Sequence, residues 1–318
     1  MIELLTPLWQ RVLQLSSVDV NDNFFDLGGD SSLALQLFTE IARAYDRELP
    51  PVMIYQAPTI ATLAALLELP STPRFPALVL LKSGTATPPV FIAHGLGGSV
   101  MDFYQPIKHI QSEHPIYGMQ AKGTDGLNEP LERVEDMAEY YLDAIKQVQP
   151  RGPYFLMGYS LGGLVVLEMA HRLSATGEPV ALLAMIDAYP HMRYLSFGQR
   201  ARLIARQARR GLQALSDLRG STAYQPPAGV SFTPAMQRVR DKAYVALTHY
   251  RPRPYSGKIK FVRAATTSAF PKDAAAVWTP LAAQFEVETV AGDHLGIMTT
   301  YFEDLAAVLS RYVAEAVG

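Results

Sequence analysis

Two serines stand where a hydroxyl can do chemistry. Ser160 is the centre of Gly158-Tyr159-Ser160-Leu161-Gly162, between the strand-like PYFLMGY and the helical LGGLVVLEMAHRL. A G-x-S-x-G at a strand-to-helix junction forms a sharp turn that lifts the hydroxyl above the sheet. The hydroxyl is a weak nucleophile until a base takes its proton. Of seven histidines, His294 in Gly292-Asp293-His294-Leu295 follows the last predicted strand and precedes the terminal helix. His171 falls within a helical run, and His94, before Gly95-Leu96-Gly97-Gly98, suits a structural or loop role. His109, His114, His191 and His249 lack supporting partners in sequence. The orienting acid belongs between nucleophile and base in chain order. Asp187 meets that condition at the end of the strand-like VALLAMI, whereas Asp293 adjoins the base and Asp217, Asp241 and Asp273 lie in helices or loops. Ser160, Asp187 and His294 are therefore the candidate acyl-transfer set. The backbone N–H of Leu161 and one from the His94–Gly98 loop, taken at Leu96, are the candidate oxyanion donors.

The second hydroxyl is Ser31, after Phe24-Phe25-Asp26-Leu27-Gly28-Gly29-Asp30. The glycine pair permits a tight turn, and Asp30 or Ser31 then stands at a helix start. From the residues alone Ser31 is either a helix cap or a hydroxyl whose phosphate ester would sit at the positive end of that helix. Leu33, on the same helix, is either a docking contact or core packing.

The elements that must position these groups fall into two units. Residues 1–68 read as four short helical segments, the first being IELLTPLWQRVLQL and the last TIATLAALLE behind Thr59. Residues 69–76 (LPSTPRFP) read as a linker. From 77 to 318, strand-like stretches (ALVLLK, PVFIAHG, PIYGMQA, PYFLMGYS, VALLAMIDA, GKIKFVRA, EVETVAG) alternate with helical ones, the pattern of a mostly parallel sheet covered on both faces. Residues 191–250 break that alternation, and we expect them to form a helical lid.

Composition narrows the function. With 49% hydrophobic and 18% charged residues the chain has material for real cores, and a net charge of -2 argues against a nucleic-acid binder. The acids concentrate at the start: residues 1–76 carry nine Asp/Glu against four Lys/Arg. The stretch 191–220 carries seven Arg and one acid, which either draw the acidic first unit or the phosphate of its arm through complementary fields or form a solvated helix face. There is no cysteine, which removes disulfides, Cys-bound zinc and a thiol nucleophile. Any thiol chemistry must use a group the chain does not encode. No apolar run reaches membrane-spanning length, no targeting segment is visible, and a cytoplasmic location is expected.

The first unit resembles a peptidyl carrier domain, whose D-x-F-F-x-L-G-G-[HD]-S pattern is matched by Asp22, Phe24, Phe25, Leu27, Gly28, Gly29, Asp30 and Ser31. That resemblance implies 4′-phosphopantetheine carried on Ser31. The second unit resembles the thioesterase domains that end nonribosomal peptide synthetases, with HGLGG, GYSLGG, MIDAYP and GDHLGIM in family order. It departs at Gly95, where relatives often have proline. Together they imply a four-helix carrier domain followed by an α/β-hydrolase domain with a helical lid. They further imply a Ser-Asp-His thioesterase that releases a carrier-bound peptidyl or acyl thioester by hydrolysis or macrocyclisation. Implied partners are upstream condensation and adenylation domains, a phosphopantetheinyl transferase, and intramolecular carrier–thioesterase docking, with neither nucleic acid nor membrane. Polyketide or fatty-acyl release, and an inactive docking platform for the carrier, are the alternatives. Met1 lies just before the first helix, from which we expect a piece of a longer synthetase.

Overall fold

A computed structural model describes residues 1–45, 49–69, 76–209, 233–267 and 270–318 of the chain. Most of the expected linker, 70–75, and the middle of the expected lid, 210–232, lie outside them. Helix α1 (Ile2–Leu13) places Leu5, Leu8, Trp9 and Val12 on one buried face. Helix α2 (Ser31–Tyr45) buries Ala34, Leu37, Phe38 and Ile41. A single 3-10 turn, Pro51–Tyr55, leads to helix α3 (Ile60–Glu68), which opens with a reciprocal cap between Thr59 and Thr62. These segments close on Phe24, fully buried, with the Trp9 ring edge-on at 5.2 Å. Leu33 is half-buried and packs on this core.

The rest of the chain builds a seven-stranded sheet in the order β1-β3-β2-β4-β5-β6-β7. Its strands are β1 (Leu78–Lys82), β2 (Val90–Ala93), β3 (Ile116–Met119), β4 (Tyr154–Tyr159), β5 (Val180–Ile186), β6 (Tyr255–Ala264) and β7 (Ala282–Val290). Only the β1–β3 pair is antiparallel. The period of two assigns Phe91, Leu156, Leu183 and Met185 to one buried layer and Val90, Ile92, Phe155, Met157, Ala184 and Ile186 to the other. Both faces are apolar because both are covered. Helices α5 (Val134–Val148) and α6 (Leu161–Ala175) lie on the first. Helix α4 (Tyr104–His109) and the terminal helix, Phe302–Val317, lie on the second.

The core of the helical unit is continuous with the apolar layer under that second face. At the junction Phe25 stacks on Tyr104, the first residue of α4, with ring centroids 4.8 Å apart and planes 24° apart. Tyr55 packs against the other side of Phe25 at 4.9 Å. In the region 191–250 the described residues form helices α7 (Phe197–Arg209) and α8 (Pro234–His249) and no strand. Two of its arginines are engaged within the sheet unit: Arg193 donates to the Thr248 carbonyl and Arg206 to that of Phe270.

Candidate active site

Strand β4 is buried along its whole length and delivers Ser160 into a turn with φ 54° and ψ -120°. Such a backbone is strained for a residue with a side chain and persists where the surroundings impose it. Here the Ser160 N–H donates to the Ile186 carbonyl at 2.9 Å, tying the turn to the end of β5. The positive φ therefore falls on the serine, while the flanking glycines clear space. A Cβ on Gly158 would stand 2.2 Å from the Gly162 carbonyl oxygen, and one on Gly162 would stand 2.3 Å from that of Ala93.

The three residues singled out by motif and chain order come together. His294 Nε2 is 3.1 Å from Ser160 Oγ, and His294 Nδ1 is 2.8 Å from Asp187 Oδ2. Asp187 is 1% exposed and itself sits at φ 44°. Its N–H donates to the Val262 carbonyl at 2.7 Å, and its Oδ1 accepts the Ala264 N–H at 3.1 Å, so β6 fixes the carboxylate from two sides. With Nδ1–H directed at the carboxylate, Nε2 is left as the acceptor facing the hydroxyl. That arrangement can move a proton from the serine and stabilise the resulting imidazolium.

Two aromatic rings hold the imidazole. Tyr159 stacks on His294 at 4.8 Å, and its hydroxyl donates to the His294 carbonyl at 2.7 Å. Phe270 covers the ring at 4.8 Å, tilted by 57°. Tyr159 was visible in the sequence as the variable position of the motif. Phe270 carried no signal, because its role arises from a loop returning over the site.

The donors expected for an oxyanion are also near. Leu161 is the first residue of α6, where an N–H has no intrahelical partner. The Gly95–Gly98 turn, closed by the Gly98 N–H to the Gly95 carbonyl at 3.2 Å, carries Leu96 beside the nucleophile: a Cβ on Gly95 would lie 3.5 Å from Ser160 Cβ. His94 anchors that turn. Its Nδ1 lies 2.6 Å from the Gly95 carbonyl oxygen, so Nδ1 carries the proton and Nε2 accepts from the Tyr141 hydroxyl at 2.6 Å. Burial pushes its pKa down to about 4 and keeps it neutral.

At the other serine, Asp30 Oδ1 accepts the Leu33 N–H at 2.8 Å. Capping at the start of α2 thus falls to Asp30, and Ser31 is the first helical residue. A model described as "Thioesterase domain" matches residues 88–314. The chain belongs to the thioesterase domain family. A second model, "Phosphopantetheine attachment site", matches residues 3–67, so a phosphopantetheine-bearing carrier domain precedes the thioesterase domain. The chain is 43% identical to a dimodular nonribosomal peptide synthase of Bacillus subtilis over 59% of its own length and 8% of that protein's. It is 31% identical to malpibaldin synthetase of Mortierella alpina over 82% of its length and 5% of that protein's. The holo form of a four-domain nonribosomal peptide synthetase bound to AMP and glycine shares the fold over 98% of this chain and 26% of that one, with a TM-score of 0.62 and 22% identity. The chain thus spans a small fraction of the curated relatives it matches and is homologous to their C-terminal carrier–thioesterase regions.

Beside the thioesterase site a small hollow is lined chiefly by His94, Leu131, Met137, Tyr141, Val239 and Ala243. Val239 and Ala243 come from α8, so this helix forms one wall of a largely apolar space next to the oxyanion loop. Tyr250, at the end of α8, donates to Glu168 Oε2 at 3.1 Å and fastens the helix to α6.

Proposed function

We propose that this didomain releases a peptidyl or acyl chain, held as a thioester on its own carrier, through an acyl-enzyme on Ser160. The observation that carries the reading is the unbroken hydrogen-bond line from Asp187 through His294 to Ser160 Oγ. Asp187 fixes the tautomer, His294 takes the hydroxyl proton, and Ser160 Oγ attacks the thioester carbonyl. The Leu161 and Leu96 N–H groups hold the charge that develops on the carbonyl oxygen, an interaction worth about 10²–10³ in rate per donor. His294 then returns its proton to the departing sulfur. In the second half it takes a proton from water, giving an acid, or from an amine or hydroxyl of the chain itself, giving a ring. Peptidyl rather than polyketide or fatty-acyl cargo is supported by the F-F-D-L-G-G-D-S form of the carrier motif and by relatives that are peptide synthetases.

We place 4′-phosphopantetheine on Ser31, where it would supply the thiol that the sequence lacks. The site fits such a group. Ser31 opens α2, where Asp30 already caps the Leu33 N–H, and a phosphodiester on Ser31 would meet the other N–H groups of the first turn. On this reading the partners are a phosphopantetheinyl transferase and the condensation and adenylation domains of a synthetase. The setting is the cytoplasm, and no described helix is long and apolar enough to cross a membrane.

The test is turnover of a soluble acyl thioester by the whole chain. Ser160→Ala should abolish it, and Asp187→Asn should lower kcat by about 10⁴. Normal turnover by Ser160→Ala would return the chain to the docking-platform reading.

A further inference from the structure

Between the start of α2 and the nucleophile runs a short chain of side chains that the release chemistry does not use. Phe25, the second aromatic of the carrier motif, leaves its domain's centre to Phe24 and stacks on Tyr104 of the thioesterase domain. Tyr55 closes the other side of Phe25, and its hydroxyl is buried with no hydrogen-bond partner among the described residues. Burial first, and then the charges of Asp30, adjacent to Ser31, and Asp26, push the Tyr104 phenol up. The attachment end of the carrier therefore faces Tyr104.

Asp102 continues the line. It belongs to the 3-10 turn Val100–Phe103, which joins the oxyanion loop to α4. Its charge acts on the carrier's Tyr55 at one end and on Tyr159, the neighbour of the nucleophile, at the other. A Cβ on Gly97 would lie 3.7 Å from Asp102 Oδ2, so the carboxylate stands against the oxyanion loop itself. Asp102 is solvent-exposed, so its carboxylate is open to an arm passing the loop. Placed in order, Asp30, Tyr104, Asp102, Gly97 and Ser160 mark a path from one serine to the other.

We propose that Phe25, Tyr55 and Tyr104 form an aromatic clasp that docks the carrier at the mouth of the thioesterase site, and that Asp102 guides the carrier's amide-bearing arm past the oxyanion loop to Ser160. The clasp supplies orientation without charge: flat rings favour a defined offset, whereas complementary charge alone does not fix one. Asp102 supplies an acceptor for the amide N–H groups of a pantetheine arm. The acidic patch of the carrier, Asp26 and Asp30, lies towards Tyr104. This inference rests on the release function proposed above, and its test separates the two.

The chain has no cysteine, so Ser17→Cys on the carrier and Lys146→Cys on the thioesterase domain, both exposed positions, can each carry a nitroxide label. The distance distribution between the labels should be narrow in the otherwise unaltered chain. It should broaden in Tyr104→Ala and stay narrow in Tyr104→Phe. Release from the loaded carrier should slow about tenfold in Tyr104→Ala, the worth of one aromatic pair, while hydrolysis of a soluble N-acetylcysteamine thioester stays within about twofold. Asp102→Ala should keep the narrow distribution and slow carrier release alone. An unchanged distribution with unchanged carrier release in Tyr104→Ala overturns the clasp. An equal fall in carrier and soluble turnover assigns Tyr104 to the oxyanion loop and also overturns it. Asp102→Ala with normal carrier release removes the guide. Failure of the parent chain to use either substrate sinks the release function instead, and the label distances still decide the clasp.

Discussion

Tyr159 binds His294 twice, by a ring stack at 4.8 Å and 21° and by a hydroxyl that donates to the His294 carbonyl at 2.7 Å. The residue before the nucleophile therefore sets the position of the base. Tyr159→Phe keeps the stack and loses the hydrogen bond, which is worth about 1 kcal/mol. We expect a fall in kcat of less than about tenfold with KM little changed, because the ring still orients the imidazole. Steady-state kinetics on a soluble thioester checks this, and a selective rise in KM would contradict it.

The elbow leaves no room for side chains at its glycines. Gly162→Ala would drive a methyl to 2.3 Å from the backbone oxygen of Ala93, which no rotamer change relieves. We expect a loss of about 1–3 kcal/mol in stability, the usual cost of overpacking, together with a large loss of activity as Ser160 moves. Thermal unfolding and thioester turnover read the two effects separately. An alanine variant with both intact would mean that β2 and α6 lie farther apart than described.

His94 makes stability depend on pH. Its pKa falls from the usual 6.5 to about 4 on folding, so between those values the unfolded chain binds more protons than the folded one. The contribution is full above about pH 6.5, is lost as pH falls, and is gone near pH 4, with a span of about 3 kcal/mol. His94→Gln should flatten the stability profile across that window. Urea denaturation at several pH values checks it, and a variant whose profile matches the parent's would place the titrating group elsewhere.

Much of the site was legible because its residues carry local signatures. The strand before Ser160, the helix after it, and the strand end at Asp187 fixed which groups emerge on the same edge of the sheet. Chain order then selected His294 from seven histidines. The capping of α2 was left between two residues by sequence, and the hydrogen bond from Leu33 to Asp30 decides it. Phe270 and Tyr104 were invisible, since each acquires its role from a partner distant in the chain, His294 in one case and Phe25 in the other. Charge counting left the lid arginines open between receiving the carrier and forming a solvated helix face. Diffuse fields fall off within a Debye length and fix no orientation, and here an aromatic contact does.

The most direct test of the central claim is intact-protein mass after loading the chain with a phosphopantetheinyl transferase and an acyl-coenzyme A, followed over time. The account expects the parent chain to gain the acylated arm and then shed the acyl group, Ser160→Ala to gain it and keep it, and Ser31→Ala to gain no mass. Loading of Ser31→Ala, or normal loss of the acyl group by Ser160→Ala, would contradict it.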